Sequence, residues 1–165
     1  MVERFSMSVI ILVEHLEKSM KKLKAQVSKV KQMRKGIHFM RDEIHMDEEE
    51  HDFEAWLEGE GAYLKEHIPG DIITNISSLH RAWYQEYMKI FALFFEESGR
   101  SWFGNKNRPK TLDAQELEKL EIYYSDLMEF HELLIHKFDV LKLRVSSSRE
   151  IDDTEIRQKE ERLQI

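Results

Sequence analysis

The sequence predicts an all-α protein, specifically an antiparallel four-helix bundle with a polar C-terminal tail. Three observations support this class. Proline and glycine occur only 2 and 6 times in 165 residues, charged residues make up 35% of the chain, and apolar residues recur at spacings of three and four over long segments. Such a sequence is typical of long amphipathic helices, and a chain of this length buries enough apolar surface for one domain.

The first predicted helix begins near Arg4 and keeps apolar residues at helical spacing as far as Ile44. Gly36 is the weak point of this segment, because glycine destabilises a helix by about 1 kcal/mol relative to alanine. We therefore expect either one helix of up to about forty residues or two helices that divide at Gly36.

The second predicted helix follows the acid-rich segment that begins at Asp47, and it ends before Pro69 and Gly70. The third runs from Asp71, a candidate N-cap, to Gly99, a candidate C-cap. Its predicted inner face is strongly aromatic and consists of Ile72, Ile76, Leu79, Trp83, Tyr87, Ile90, Phe91 and Phe94.

The fourth predicted helix begins at a capping box formed by Asp113 and Glu116. Its apolar seam alternates spacings of three and four without a gap, which is the strongest periodic signal in the chain. The seam consists of Leu117, Leu120, Tyr124, Leu127, His131, Leu134, Phe138 and Leu141.

The three serines from Ser146 to Ser148 and the polar sequence after them predict a break in the fourth helix. We therefore divide the chain into a helical bundle domain, residues 1–146, and a polar tail, residues 147–165. The tail is expected to be flexible or to become helical with a partner.

Charge is distributed unevenly, and the net charge is -7. Residues 18–35 hold eight basic side chains and no acid, whereas residues 42–60 hold ten acids and no Lys or Arg. The acidic balance argues against nucleic acid as a partner. Two interpretations of the segments stay open: they complement each other when the chain folds back, or the basic helix is offered to an acidic partner or to anionic lipid.

Several function classes find no support in the sequence. There are no cysteines, so a disulfide framework and a thiol nucleophile are unavailable. A Gly-rich phosphate loop and a nucleophile elbow are also missing, which predicts a protein that is not an enzyme. The apolar run from Val9 to Val13 is far shorter than the roughly 20 residues of a membrane span and has acids on both sides, so we expect no stable span and a cytoplasmic location.

The eight histidines are the residues most suited to chemistry, since histidine is the commonest metal ligand and bundles build metal sites between facing helices. His131 lies on the seam, so its ring nitrogens need partners inside the protein: a core tyrosine such as Tyr84 or Tyr87, or a metal. A second candidate set shares one face if residues 38–49 are helical, and consists of His38, Asp42, His45 and Glu49.

The segment HDFEAWLEGEG, which begins at His51, resembles the signature of the chemoreceptor zinc-binding domain family. That signature has Cys, Phe, Gly, Trp and Leu at fixed spacing, and Phe53, Trp56 and Leu57 fall in register. His51 stands in the place of the cysteine, and Glu54 in that of the glycine. The family folds as a four-helix bundle, binds zinc through histidines and that cysteine, and serves as a sensor in bacterial signalling proteins.

The resemblance implies a zinc site built from His51, His80, His15 and a fourth group such as His131, all as neutral imidazoles. One further histidine of the family pattern is replaced here by Tyr84 or Ile76. A fainter likeness begins at His38, where HFMRDE is similar to a stretch of the hemerythrin-like proteins, which hold a pair of irons.

Two functions follow as hypotheses. The first is a non-enzymatic signalling or sensor bundle that binds a divalent metal, zinc, through its histidines. The second is a metal-free helical module for binding a protein partner or for homodimerisation. In the second hypothesis, the seam of the fourth helix and the aromatic face of the third form the interface.

Overall fold

A computed structural model describes the backbone of residues 2–68, 70–96 and 106–163, with the side chains of these ranges except 2–10, 12, 13, 47–51, 60, 148–160 and 163. Every regular element in the described residues is helical, which confirms the predicted all-α class. The elements are α1 (Val2–Arg34), α2 (Arg41–Ile44), α3 (Asp47–Trp56), a π-helical segment (Leu57–Gly61), α4 (Ala62–His67), α5 (Ile72–Phe95) and α6 (Ala114–Leu163).

The first predicted segment forms two helices, α1 and α2, instead of one. The division lies at Gly36, in agreement with the second of the two expectations for this segment. Gly36 has a φ of 94°, and the amide of Ile37 donates to the carbonyl of Gln32 at 3.0 Å. This closure of a helix by a left-handed glycine is the Schellman motif, which L side chains disfavour at the glycine position. His38 therefore lies between helices, so it does not share one helical face with Asp42 and His45 as expected.

The acid-rich segment forms α3, the π-helical segment and α4 in direct succession. Gly61 is buried where the π-helical segment ends, and a β-carbon there would lie 3.3 Å from the carbonyl oxygen of Trp56. The chain leaves α4 at Ile68 and turns through Gly70, whose φ is 101°, into α5. The third predicted helix thus begins as expected, but the predicted C-cap at Gly99 is wrong, because the helix ends at Phe95 and Glu96 is its C-cap.

Helix α6 begins at the predicted capping box. The amide of Glu116 donates to Oδ1 of Asp113 at 2.8 Å, and the amide of Asp113 donates to Oε2 of Glu116 at 3.1 Å. Its seam is buried from Leu120 to Leu141 except at Tyr124, which is half-buried, and Leu117 is 49% exposed and does not belong to the core.

Both α1 and α5 pack antiparallel against α6. The α1 pairing is marked by an ion pair of Arg34 with Glu121 at 2.6 Å and another of Glu17 with Lys142 at 2.5 Å. Because the residue numbers fall on one helix as they rise on the other, the two helices run in opposite directions. Helix α6 is therefore the element around which the core is assembled.

Helix α6 continues without interruption through Ser146, Ser147 and Ser148 to Leu163, so the predicted break is wrong. Serine lowers helix propensity by only a few tenths of a kcal/mol, which is too little to end a helix that is already established. The division at residue 146 into a domain and a tail stays a prediction. At 50 residues, α6 is about 75 Å long, roughly twice the length of α5.

No helix in the described ranges has both the length and the apolar character that crossing a bilayer requires.

Candidate functional site

The polar centre of the core joins α5 to α6 through Trp83 and His131. The indole Nε1 of Trp83 donates to Nδ1 of His131 at 3.3 Å, and both side chains are buried. The expected tyrosine partner of His131 is therefore wrong, and a tryptophan takes its place. Because Nδ1 accepts this hydrogen bond, the proton of the neutral imidazole resides on Nε2. Burial, and then the positive charge of Lys24, lower the pKa of His131.

His80 lies one turn away on α5 and is 4% exposed. Its imidazole stacks on the ring of Phe53 from α3, with 3.7 Å between ring centroids and 17° between planes. Nε2 of His80 has no hydrogen-bond partner. Burial lowers the pKa of His80 to about 4, so the ring is neutral at pH 7.

These two histidines belong to a ladder of five rings that crosses the core in the order Trp56, Phe53, His80, Trp83 and Tyr87. Centroid distances range from 3.7 Å between Phe53 and His80 to 6.4 Å between His80 and Trp83. Stacked pairs of this kind add about 0.5–1.5 kcal/mol each beyond their buried area.

The ladder ends at Tyr87, whose hydroxyl donates to the carbonyl of Ile44 at 2.5 Å. This bond ties α5 to the end of α2. Burial raises the pKa of Tyr87 above its usual range. The core is thus filled by rings that are uncharged at pH 7, which favours a packing role over acid–base chemistry.

The four predicted zinc ligands are placed differently from one another. His80 and His131 are buried on either side of Trp83, whereas His15 is exposed on α1. The side chain of His51 lies outside the described residues.

The described side chains contain no group of three or more His, Asp or Glu residues that could hold a metal ion. Nδ1 of His131 already accepts from Trp83, and its Nε2 carries the proton, so neither nitrogen offers a free lone pair. Of the predicted zinc ligands whose side chains the structure describes, His80 has a buried ring nitrogen, Nε2, without a partner, as a metal ligand would have in the absence of its metal. The described residues therefore do not fit the ligand number of zinc, which is four in structural sites.

A cavity of about 370 Å³ separates α1 from α3 and the π-helical segment. Its α1 wall is basic, with His15, Lys18 and Lys22, and the opposite wall includes Asp52 and Trp56. Nε1 of Trp56 is buried without a hydrogen-bond partner. The cavity has basic residues of α1 on one side and Asp52 of α3 on the other, and the pairing of the basic and acidic segments stays a prediction.

The side of α6 opposite its buried seam carries a second line of residues at spacings of four and three, of which Val140 packs in part against the core. We call this line the outer face, and it consists of Ile122, Asp126, Glu129, Leu133, His136, Val140 and Leu143. Ile122 is 60% exposed, Leu133 45% and Leu143 68%. Burying a side chain of this kind contributes about 1.5–3 kcal/mol, so exposing three of them on one face forgoes a substantial stabilisation.

The outer face was missed in the sequence because the inner seam of the same helix is the more regular of the two. Leu133 follows His131 by two residues, so the two belong to different faces once α6 is helical. The available signal was the spacing of four and three from Ile122 to Leu143, although polar residues interrupt it.

Most of the inner seam of α6 and of the aromatic face of α5 is buried within this chain, although Leu117 is exposed and Leu79 and Tyr124 are half-buried. An interface that these two faces would form with a partner stays a prediction. On the outer face of α6, the aliphatic side chains of Ile122, Leu133 and Leu143 stay exposed.

Comparisons with protein-family models, with curated proteins and with solved structures found no match to this chain.

Proposed function

We propose that this chain is a non-enzymatic, cytoplasmic four-helix bundle that works by protein–protein contact through the outer face of α6 and needs no metal to fold. Helix α1, the α3 to α4 segment, α5 and α6 are the four arms of the bundle. The observation that carries the proposal is the exposure of Ile122, Leu133 and Leu143 in one line on the helix that organises the core.

The buried histidine and tyrosine side chains are uncharged, which favours a function in protein contact over one in catalysis. His80 and His131 are held neutral by burial, and Tyr87 is held protonated. These groups are buried in the core, where they stabilise packing. Ile122, Leu133 and Leu143, in contrast, leave aliphatic surface exposed along one side of α6, with Asp126, Glu129 and His136 between them, and this is the apolar surface on which the proposal rests.

The test is site-specific photo-crosslinking in cells that express the chain naturally. A photoreactive phenylalanine analogue at position 133 is expected to give a covalent adduct with a protein. The same analogue at position 117, which is also an exposed leucine on α6, is the control. Equal crosslinking from the two positions, or none from position 133, would contradict the proposal.

A second candidate function is a zinc-dependent sensor, as the resemblance around His51 implies. The unpartnered Nε2 of His80 favours it, because that nitrogen is free to bind a metal. This candidate requires His131 to give up its hydrogen bond to Trp83 and His51 to reach the same centre. Zinc would then hold the helices together through neutral imidazoles.

Metal analysis separates the two candidates. Protein purified without a chelator and without a tag is analysed for zinc, and its thermal melt is recorded before and after a strong chelator is added. About one zinc per chain and a melt lowered by chelation support the sensor, with loss of metal in His80→Ala and not in His67→Ala. Absence of metal and an unchanged melt support the metal-free module.

A further inference from the structure

The exposed aliphatic residues of the outer face of α6 are spaced almost symmetrically about Leu133, to within one residue. From Ile122 to Leu133 is eleven residues, and from Leu133 to Leu143 is ten. A helix with this pattern can face an antiparallel copy of itself. With a two-fold axis beside Leu133, that residue meets its own copy, and Ile122 of each chain meets Leu143 of the other.

The charges on the outer face are complementary in the same register. Glu129 is four residues before Leu133, and His136 and Lys137 are three and four residues after it. The two-fold operation therefore places Glu129 of one chain opposite His136 and Lys137 of the other, and it does so twice. Polar pairs on both sides of a central apolar contact set the register of an antiparallel pair and disfavour its parallel alternative.

We infer that the partner of the outer face is a second copy of this chain, which binds as an antiparallel α6 to α6 dimer about Leu133. This inference rests on the proposed contact function and names its partner. A two-fold interface presents the same patch on both chains, so the patch must be complementary to itself. The pairs of Leu133 with its copy, Ile122 with Leu143 and Glu129 with His136 meet that requirement, whereas Asp126 lies opposite Val140, a pair that weakens the contact.

The dimer is expected to be weak. One helix face from each chain buries less area than the 1,200–2,000 Å² or so of a stable standard interface, and only three large aliphatic side chains per chain are exposed on it. We expect a dissociation constant on the order of micromolar, at which a modest change in the interface abolishes the dimer at ordinary concentrations.

Sedimentation equilibrium over a wide range of protein concentration measures the association directly. Leu133→Glu brings two carboxylates together at the two-fold axis and should weaken the dimer at least tenfold. Leu117→Glu makes the same chemical change at a residue of similar exposure on the same helix, and should leave the dimer unchanged. Circular dichroism of both variants shows whether the fold is kept.

The register is tested with cysteines, since the natural sequence has none. Ile122→Cys and Leu143→Cys are each made as a single substitution and treated with a short bismaleimide. The mixture of the two variants should give a crosslinked dimer in high yield, whereas each variant alone should give little. Leu133→Cys alone should crosslink with itself.

A monomer at all concentrations, a dimer that Leu133→Glu leaves intact, or crosslinking that ignores this register would overturn the inference. Its failure can be told apart from failure of the proposed function. If purified protein is monomeric while position 133 crosslinks to a different protein in cells, the contact function stands and the second copy is the wrong partner. If position 133 crosslinks to nothing, the contact function itself is wrong.

Discussion

The imidazole of His80 lies parallel to the ring of Phe53, with 3.7 Å between their centroids, and its Nε2 has no hydrogen-bond partner. A ring in this position cannot accept a proton without placing an unpaired charge in the core. Proton binding by His80 is therefore coupled to unfolding.

We predict that this coupling makes the protein less stable as the pH falls below neutral. The pKa of His80 is about 4 in the folded protein and 6.5 without burial. Between these values the unfolded chain binds the proton and the folded chain does not, so stability rises with pH across this window and is lost as the pH falls. The full difference is on the order of 3 kcal/mol, because each unit of pKa corresponds to about 1.4 kcal/mol.

Urea unfolding at several pH values between 4 and 7 checks this prediction. His80→Phe keeps the stacked ring and removes the titration, so its stability should vary less over the window than that of the natural protein. His67→Phe, at an exposed position, should keep the natural pH dependence. Identical pH profiles for the natural protein and His80→Phe would show that His80 is not the coupled group.

A second prediction concerns the hydrogen bond between Trp83 and His131. Trp83→Phe leaves Nδ1 of His131 buried without its donor, and His131→Leu leaves the indole N–H without its acceptor. Either change should cost about 1–3 kcal/mol for the unpaired group, in addition to the altered packing. The double variant leaves no unpaired group, so it should be more stable than the sum of the single effects predicts, by about 1 kcal/mol.

Circular dichroism, rather than tryptophan fluorescence, should follow the unfolding in this cycle, because Trp83→Phe and the double variant both remove a tryptophan. Additive effects within about 0.5 kcal/mol would mean that the hydrogen bond contributes no net coupling.

A third prediction uses two glycines that differ in backbone conformation. Gly36 has a positive φ and open space around it, so Gly36→Ala should destabilise the protein by about 1–2 kcal/mol through backbone strain alone. Gly59 lies in the π-helical segment without a positive φ, and a β-carbon there meets nothing within 4 Å. Gly59→Ala should therefore stabilise the protein by about 0.5–1 kcal/mol. The same sign for both substitutions would show that backbone conformation does not govern these positions.

Sequence patterns predicted the features that depend on neighbouring residues. The capping box at Asp113 and Glu116 and the buried seam from Leu120 to Leu141 are both local, since a helix fixes which positions share a face. The division at Gly36 also follows from the properties of one residue.

The contacts of the core could not be derived in the same way. Trp83 and His131 are 48 residues apart, and their meeting depends on the register between α5 and α6, which a shift of one residue would change. The helix break predicted at Ser146 to Ser148 was wrong for a different reason. Serine is common where helices end because its side chain can cap them, yet it costs little inside a helix that other residues have established.

The pairing of α1 with α6 has a consequence for synthesis on the ribosome. Glu17 and Lys142 are separated by 125 residues (142 minus 17). The apolar side of α1 that packs on α6 therefore stays uncovered until α6 has been synthesised. Translation adds about 5–20 residues per second, which leaves α1 unpaired for roughly six to twenty-five seconds. The side chains of Leu23 and Val30, buried in the finished protein, are open during that interval to the chaperones that bind nascent apolar segments.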